Sequence, residues 1–559
     1  MNLRKKTRRK LKFIKKLNNT KRDNSTVNSS LILPTAEDIE PYLSLFKFWY
    51  EIGGSEHIPN QIGGGAHEEW CNFFDNLTPD SKESILFLEP RFSLKTSFSA
   101  CFALLWAIKY PNTNIFYIRK SFTKATAWLF GVKKIINSEK FNAIFGNSKN
   151  WFGSPNTNTA FNFSNTKKVQ GSQIGQRNII SVESLFQVYG MESAITGDHC
   201  NKGVVIWDDG ADENDTISKA EYLKTMRFFE NLPPIIQNSN FLIIGTRWGK
   251  ELYDFIINKL NKDLKEKGLK EYKIIQGTPL KQGIEEKTGK ILDITNLPSD
   301  EEAYRFKSVQ KQELIKNYAE MGRRKWLSNF FQRVLPDDEK IFSTEPTYFK
   351  LNEINLNEFV YILSATDPAT GKEASDFTST VVIGIHQTGK VYVLNVFAGK
   401  ESMSKHTKFL AKIINTYYTK LKDMIIESNT LDTSLSKIIL PKLICEELNK
   451  LQNNTIFEET TINRVIKLKR TKNTDKNARI ESLEVPVSIG LLLFPDREIV
   501  KNHDGFKELY SEMDGFTARG AEDKDDALDA LQIAYSYAEF YYAKRIRDRQ
   551  INEFVTFLS

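Results

Sequence analysis

Cysteine is scarce and scattered. Cys71, Cys101, Cys200 and Cys445 show no C-x-x-C spacing, which argues against a zinc site and a disulfide framework and fits a reducing cytoplasm. Long apolar runs are missing as well. The longest, Phe98 to Ile108, is too short to span a bilayer and carries small residues, so it reads as a buried helix and no membrane contact is expected. No apolar segment of the kind a secretory signal needs is present. Acids are absent from residues 1–22, "MNLRKKTRRKLKFIKKLNNTKR", which hold eleven Lys or Arg. This arm outweighs the whole formal charge of +8 and leaves a nearly neutral body, so it is a solvated flexible tail, an address or a nucleic-acid contact.

With 559 residues the chain is long enough for two large domains or three smaller ones, each with its own core. Beyond a basic arm (1–33), apolar runs of strand length alternate with helical patterns: "SILFLE", "NIFYIRK", "GVVIWDD" and "FLIIGTRW". Such alternation predicts an α/β domain with a mostly parallel sheet over 34–260. Residues 261–335 turn charged and helical, as a small lid-like subdomain would, and the proline-bearing, aperiodic stretch 336–359 reads as a linker. From 360 to 545 the runs "FVYILSATDP", "TSTVVIGIHQTGKVYVLNVFAG" and "MIIESN" predict a mixed sheet with a hairpin at "QTG", followed by a tail over 546–559.

The turn "EPRFSLKTS" lies between a strand and a helix start, where phosphate binds, and offers Arg91, Lys95 and Thr96. Against the pattern GxxxxGK[ST] it has no glycine: Glu89 and Leu94 stand at those places. "GVVIWDD" has the form of a Walker B strand, in which Asp208 would hold Mg²⁺ and Asp209 polarise the attacking water, although paired Asp also ends ordinary strands. "IIGTRW" brings Thr246 and Arg247 to the same carboxyl edge of the sheet. Three strand ends therefore converge on ATP chemistry.

A second set of acids follows. Asp367 ends one strand with Asp376 shortly after, Glu427 ends another, and "EDKDDALDAL" starts a helix with Asp525, Asp526 and Asp529 at spacings that share a face. Like charges so placed repel unless cations neutralise them, and oxygen-only ligands suit Mg²⁺ or Mn²⁺. Acids at a helix start also favour its dipole, which is the plainer reading of 525–529 alone. With Asp367 and Glu427 the order resembles RNase H-like nucleases. Asp367, Glu427 and Asp526 are the expected catalytic metal ligands, with Asp529 a further ligand and Asp525 a fallback. Lys476 and Arg479 are either DNA-backbone contacts or a solvated face, and His199 and His386 are read as structural.

Taken in order over roughly residues 60–540, "GAHEEWCNFF", "EPRFSLKTSFSACFALLWAIKYPNTNIFYI", "GVVIWDDGADENDTISKAEYLKTMRFFENLPPIIQNSNFLIIGTRWGKELYD", "EMGRRKWLSNFFQRVLPDDEKIF", "SATDPATGKEASDFT", "IIESN" and "EDKDDALDAL" resemble the large terminase subunits of tailed double-stranded DNA bacteriophages. The resemblance implies a RecA-like ATPase with an additional strand, joined to an RNase H-like endonuclease. Hydrolysis of ATP would drive double-stranded DNA into a procapsid through a portal protein, with a small terminase subunit as partner and a homo-oligomeric ring on the portal. It also implies that Lys95, Thr96 and Arg91 meet the phosphates and Mg²⁺, that Asp208 is the Mg²⁺ carboxylate and Asp209 the catalytic one, and that Thr246 couples hydrolysis to movement. Arg119, Arg227 and Arg247 are all candidates for an arginine acting on a neighbouring subunit. Leu94 is the departure: a bulky residue at a glycine position predicts a different loop backbone. The alternatives are a resolvase- or transposase-type nuclease whose ATPase domain no longer hydrolyses, and a purely structural DNA-binding protein.

Overall fold

Strand propensity and alternation place fifteen strands in two sheets among the described residues. The computed structural model describes residues 35–539 except 54–60, 64, 165–182, 194, 196, 213, 216–217, 249–251, 282–293, 295–296, 337, 368–377, 400–402, 428–438, 452–456, 470–475, 518 and 522–523. The basic arm, the tail over 546–559 and Asp376 lie outside the described residues.

The first sheet contains β1 (Ser84–Leu88), β2 (Ile115–Arg119), β3 (Phe152–Asn156), β4 (Ala160–Phe163), β5 (Phe186–Gly190), β6 (Val204–Asp208), β7 (Asn240–Gly245) and β8 (Lys273–Gln276). Their order is β3-β4-β5-β2-β6-β7-β1-β8. The six from β5 to β8 are parallel, while β3 and β4 add antiparallel pairs at one edge. β1, which leads into the turn over 89–94, is thus separated from the Asp208 strand (β6) by β7, the additional-strand order of RecA-like ATPases. Side chains alternate between two cores, as period 2 requires. Ile85, Phe87, Ile115, Tyr117, Val204 and Ile206 face one cluster, and Leu86, Leu88, Phe116, Ile118, Val205 and Trp207 face the other. Helices α1 (Gly65–Asp75), α2 (Lys95–Lys109) and α3 (Phe122–Asn137) supply the first cluster with Trp70, Phe98, Leu104 and Trp128.

The stretch 261–335 differs from the expected lid. β8 pairs with β1 as a strand of the first sheet, and α4 (Lys311–Met321) and α5 (Arg323–Phe331) bury Leu314, Tyr318, Trp326 and Phe330 in the first cluster. Their apolar faces are spent on that core. The expected linker also contains structure: β9 (Thr347–Phe349) is the edge strand of the second sheet.

That sheet has the order β14-β13-β10-β11-β12-β15-β9. It comprises β10 (Phe359–Asp367), β11 (Thr378–His386), β12 (Val391–Gly399), β13 (Leu421–Glu427), β14 (Ile466–Lys469) and β15 (Leu492–Pro495) beside β9. β10, β11 and β12 form an antiparallel meander, and β13 then pairs parallel to β10. Numbered from β10, the strands β10 to β14 run 3-2-1-4-5, the RNase H-like arrangement. Gly389, at φ +87°, turns the chain between β11 and β12 where a side chain is disfavoured. The helix α6 (Met403–Tyr417) covers one face and the helix over 526–539 the other, burying Leu410 and Ile414 on one side and Leu528 and Leu531 on the other. Among the described residues no helix is long and apolar enough to cross a membrane.

Candidate active sites

β1 ends at Leu88 and α2 begins at Lys95, so the turn between them presents the unpaired N–H groups of a helix start to the carboxyl edge of the sheet. Leu94 is the residue before the helix and adopts φ +69°, ψ +21°, the left-handed conformation that glycine fills cheaply. Phe92 does the same at φ +64°. The expectation of a different backbone at Leu94 is therefore corrected: the chain accepts a penalty of about 1–2 kcal/mol at such a residue and keeps the turn.

Lys95 is buried, and its Nζ donates to Glu89 O at 2.6 Å, Pro90 O at 2.8 Å and Thr246 Oγ1 at 3.0 Å. Burial pushes its pKa down to about 8 against the pull of Asp209, Glu89 and Asp208. Thr96 Oγ1 donates to Asp208 Oδ2 at 3.2 Å, and so does Tyr117 Oη at 2.6 Å. Asp208 is raised to about 6 by burial and by Asp209, with Arg119 and Tyr117 opposing. Its other oxygen, Oδ1, is buried without a hydrogen-bond donor among the described residues. Asp209, at φ +50°, turns its half-exposed carboxylate to the Arg119 guanidinium, which also lies 3.7 Å from Asp208. Lys95, Thr96, Asp208, Asp209 and Thr246 are thus brought together.

Arg91 lies in the same loop, its charge close enough to Lys95 to help lower that group's pKa. Its guanidinium lies 5.4 Å from the Trp248 ring, and its backbone N–H donates to Asn329 O at 3.0 Å. Of the three arginine candidates, Arg119 is bound within this site, Arg247 pairs with Asp254 and with the carbonyl of Gln332, and Arg227 is exposed. Tyr117 was not foreseen. Nothing in "NIFYIRK" distinguishes it from a core aromatic, and only the pairing of β2 with β6 brings it to Asp208.

In the second sheet, β10 and β13 run parallel, so Asp367 and Glu427 leave it side by side. The helix over 526–539 supplies the third acid, and buried Glu512 fixes its start by accepting from the N–H groups of Ala527 at 3.2 Å and Leu528 at 2.8 Å. Carboxylate oxygens of Asp367, Glu427 and Asp529 lie within 4.8 Å of one another. Asp529 replaces Asp526 as the third member of this group. Asp526 is the first helical residue and partly exposed, whereas Asp529, one turn in, is only 2% exposed and faces the sheet. Asp526 still raises Asp367, whose pKa is pushed up to about 8 by burial first and Asp529 next.

Lys476 and Arg479 do not form a solvated face. Lys476 Nζ lies 2.7 Å from Asp525, 3.6 Å from Asp529 and 3.9 Å from both Asp367 and Asp526. Arg479 lies 3.1 Å from Asp529 Oδ1, yet that buried oxygen has no hydrogen bond of good geometry among the described residues. His199 contacts only Pro234 O, at 3.4 Å, among its hydrogen-bond partners, and His386 sits between Thr388 and Glu358, both outside these sites. His406 was missed: its Nε2 is 2.8 Å from Thr380 Oγ1, which is 2.8 Å from Thr366 Oγ1, beside Asp367.

No protein-family model matches the chain, and no curated protein matches it in sequence. Solved structures do match. The large terminase of a thermophilic bacteriophage in complex with ATP-gamma-S is 12% identical, with 84% of this chain and 97% of that one covered at a TM-score of 0.38. The HK97 bacteriophage large terminase is 11% identical, with 89% and 99% covered at a TM-score of 0.33. A Mn-soaked human cytomegalovirus terminase nuclease domain is 15% identical, with 35% of this chain and 93% of that one covered at a TM-score of 0.25. At these identities and TM-scores the reading of function rests on the residues of the two sites.

Proposed function

We propose that the chain is a large terminase subunit, an ATPase that translocates double-stranded viral DNA into a procapsid and a metal-dependent endonuclease that cuts concatemers. One observation carries this reading: a phosphate loop joined to two further strand ends through Lys95–Thr246 and Thr96–Asp208 shares a chain with the triad Asp367, Glu427 and Asp529. A portal protein, a small subunit and a ring of copies are the partners this function requires.

Divalent cations fit both sites, because each presents a buried carboxylate oxygen with no hydrogen bond of good geometry among the described residues, Asp208 Oδ1 and Asp529 Oδ1, the latter only ion-paired with Arg479, and the groups that would ligate are all oxygens. Asp208 and Thr96 would hold Mg²⁺ with the nucleotide, and Asp367, Glu427 and Asp529 would hold Mg²⁺ or Mn²⁺ in the nuclease. The ion, when bound, neutralises charge on the phosphoryl oxygens. The chain's own groups do the rest. Lys95 exchanges the carbonyls of Glu89 and Pro90 for the phosphates of ATP, Asp209 orients and polarises water, and Arg119 holds Asp209 until substrate arrives. In the nuclease, Lys476 and Arg479 keep the acids together before an ion enters, then become available to a DNA phosphate.

The test is ATP turnover with Mg²⁺ and linear duplex by the whole chain and by Lys95→Ala. Turnover should fall on the order of 10²–10³-fold in the variant, the scale of removing one preorganised cation from a charge-stabilising site. Metal-dependent cleavage without any turnover in the parent would instead favour the nuclease with a non-hydrolysing ATPase domain.

A further inference from the structure

Two left-handed residues without glycine, Phe92 and Leu94, bracket Ser93 in the phosphate loop, and something must hold them. Part of the support is internal: Lys95 binds the carbonyls of Glu89 and Pro90, and Ser93 Oγ donates to Pro90 O at 2.7 Å. The Lys95 contacts are the ones a phosphate takes over. What then remains comes from outside the loop. Ser308 Oγ donates to Phe92 O at 2.8 Å, Asn329 O accepts from the Arg91 N–H at 3.0 Å, and His67 Nε2 lies 3.1 Å from Ser93 O.

His67 is the most constrained of these anchors. Its Nδ1 is 3.1 Å from the Gly63 N–H, which can only donate, so the ring proton sits on Nε2 and points at Ser93 O. The ring is fully buried between Trp49, Trp70 and Phe306, with centroids at 4.8, 5.0 and 5.3 Å. Three residues further along α1, Trp70 Nε1 donates to Glu89 Oε1 at 3.0 Å. Positions three apart share a helical face, so α1 grips the loop at its first residue and at the residue before Leu94. Burial, which holds the His67 pKa down to about 4, keeps the ring neutral and the tautomer fixed across ordinary pH.

We infer that His67 is a positioning residue for nucleotide binding, a clamp from α1 that holds the Ser93 carbonyl and so replaces the conformational freedom that glycines would give the loop. The inference rests on the nucleotide-site reading above. It concerns loop geometry, not a contact to the substrate.

The experiment uses the full chain and ATPγS with Mg²⁺ in a calorimetric titration. His67→Phe fills the aromatic cage without donor or acceptor, while His67→Gln retains one of each. Binding should weaken about tenfold or more in His67→Phe, the scale of one buried hydrogen bond, and return to within roughly threefold of the parent in His67→Gln. Adding Leu94→Gly to His67→Phe should recover several-fold of the loss, because glycine takes the left-handed conformation unaided. Damage to folding in general would not be repaired at residue 94. Metal-dependent DNA cleavage, measured in the same samples, reports that the second sheet is intact. Parent-like binding by His67→Phe overturns the clamp, as does a loss that neither His67→Gln nor Leu94→Gly reverses. A parent that binds no ATPγS overturns the nucleotide reading and the clamp with it.

Discussion

At the end of β6, Asp208 and Asp209 face Lys95 and Arg119, two acids against two bases; around the ends of β10 and β13, Asp367, Glu427, Asp525, Asp526 and Asp529 gather with Lys476 and Arg479 among the described residues. The first site is balanced in charge and closed by its own loop, so its substrate must displace protein contacts from Lys95. The second has surplus negative charge brought together by folding, and the cost of that repulsion is recovered only when cations enter. Under the proposed function, the same residue types prepare one site for an anion and the other for a metal. They are also built differently. The first site takes Lys95 and Thr96 from a helix start and Asp208, Asp209 and Thr246 from the ends of parallel strands in one sheet, while the carboxylate cluster draws on the ends of two parallel strands and a helix packed on their sheet.

If the two sites work independently, Asp367→Ala should abolish metal-dependent cleavage of plasmid DNA while ATP turnover stays near that of the parent. Loss of both activities would mean that the comparison describes one coupled centre. A finer division is expected inside the cluster. Asp529→Ala should reduce cleavage at limiting Mn²⁺ by more than a hundredfold, whereas Asp526→Ala, removing a rim acid, should cost the roughly 10–100-fold of a supporting group. A Mn²⁺ titration of cleavage by both variants checks the order, and the reverse ranking would restore Asp526 as the ligand.

These contrasts explain what could be read in advance. Strand ends were legible because an apolar run followed by a charged residue marks the carboxyl edge of a sheet, and this located Lys95, Asp208, Thr246, Asp367 and Glu427. The choice between Asp526 and Asp529 was not legible, since both lie on one helical face and only the point at which the helix starts, set by buried Glu512, decides which turns inward. The orientation of Arg91 was not legible for a related reason: a loop side chain follows whichever surface adjoins it, here Trp248. The lid-like reading of 261–335 rested on charge, and of those charged residues Lys316, Glu320 and Lys325 lie on the exposed sides of α4 and α5. The apolar stripes opposite, with Leu314, Tyr318, Trp326 and Phe330, close the first core. Residues such as Tyr117, His67 and His406 carry no local signal; they matter through neighbours distant in sequence.

The smallest effect tests whether the two regions are mechanically separate. The helix α5 begins where buried Glu484, from the segment leading to β15, accepts from the Arg323 N–H at 3.0 Å and from Tyr318 Oη at 3.1 Å. At its other end, Asn329 O takes the Arg91 N–H of the phosphate loop, and Gln332, just past the helix, holds Arg247. One short helix therefore runs from a carboxylate of the second half to the nucleotide edge of the first. Burial pushes the Glu484 pKa up to about 7, against the opposing effect of its two donors and of the Arg323 charge. A carboxyl raised above its unfolded value contributes stability that is present in full below about pH 4.5 and is lost as pH rises through about 7. Between pH 5.5 and 7.5 the loss should be about 2 kcal/mol. Melting midpoints of the parent should fall across that interval, and Glu484→Gln, which cannot ionise, should fall less. Parallel curves for the two proteins would mean that the contact does not titrate in this range, leaving α5 as simple packing between regions that do not sense each other.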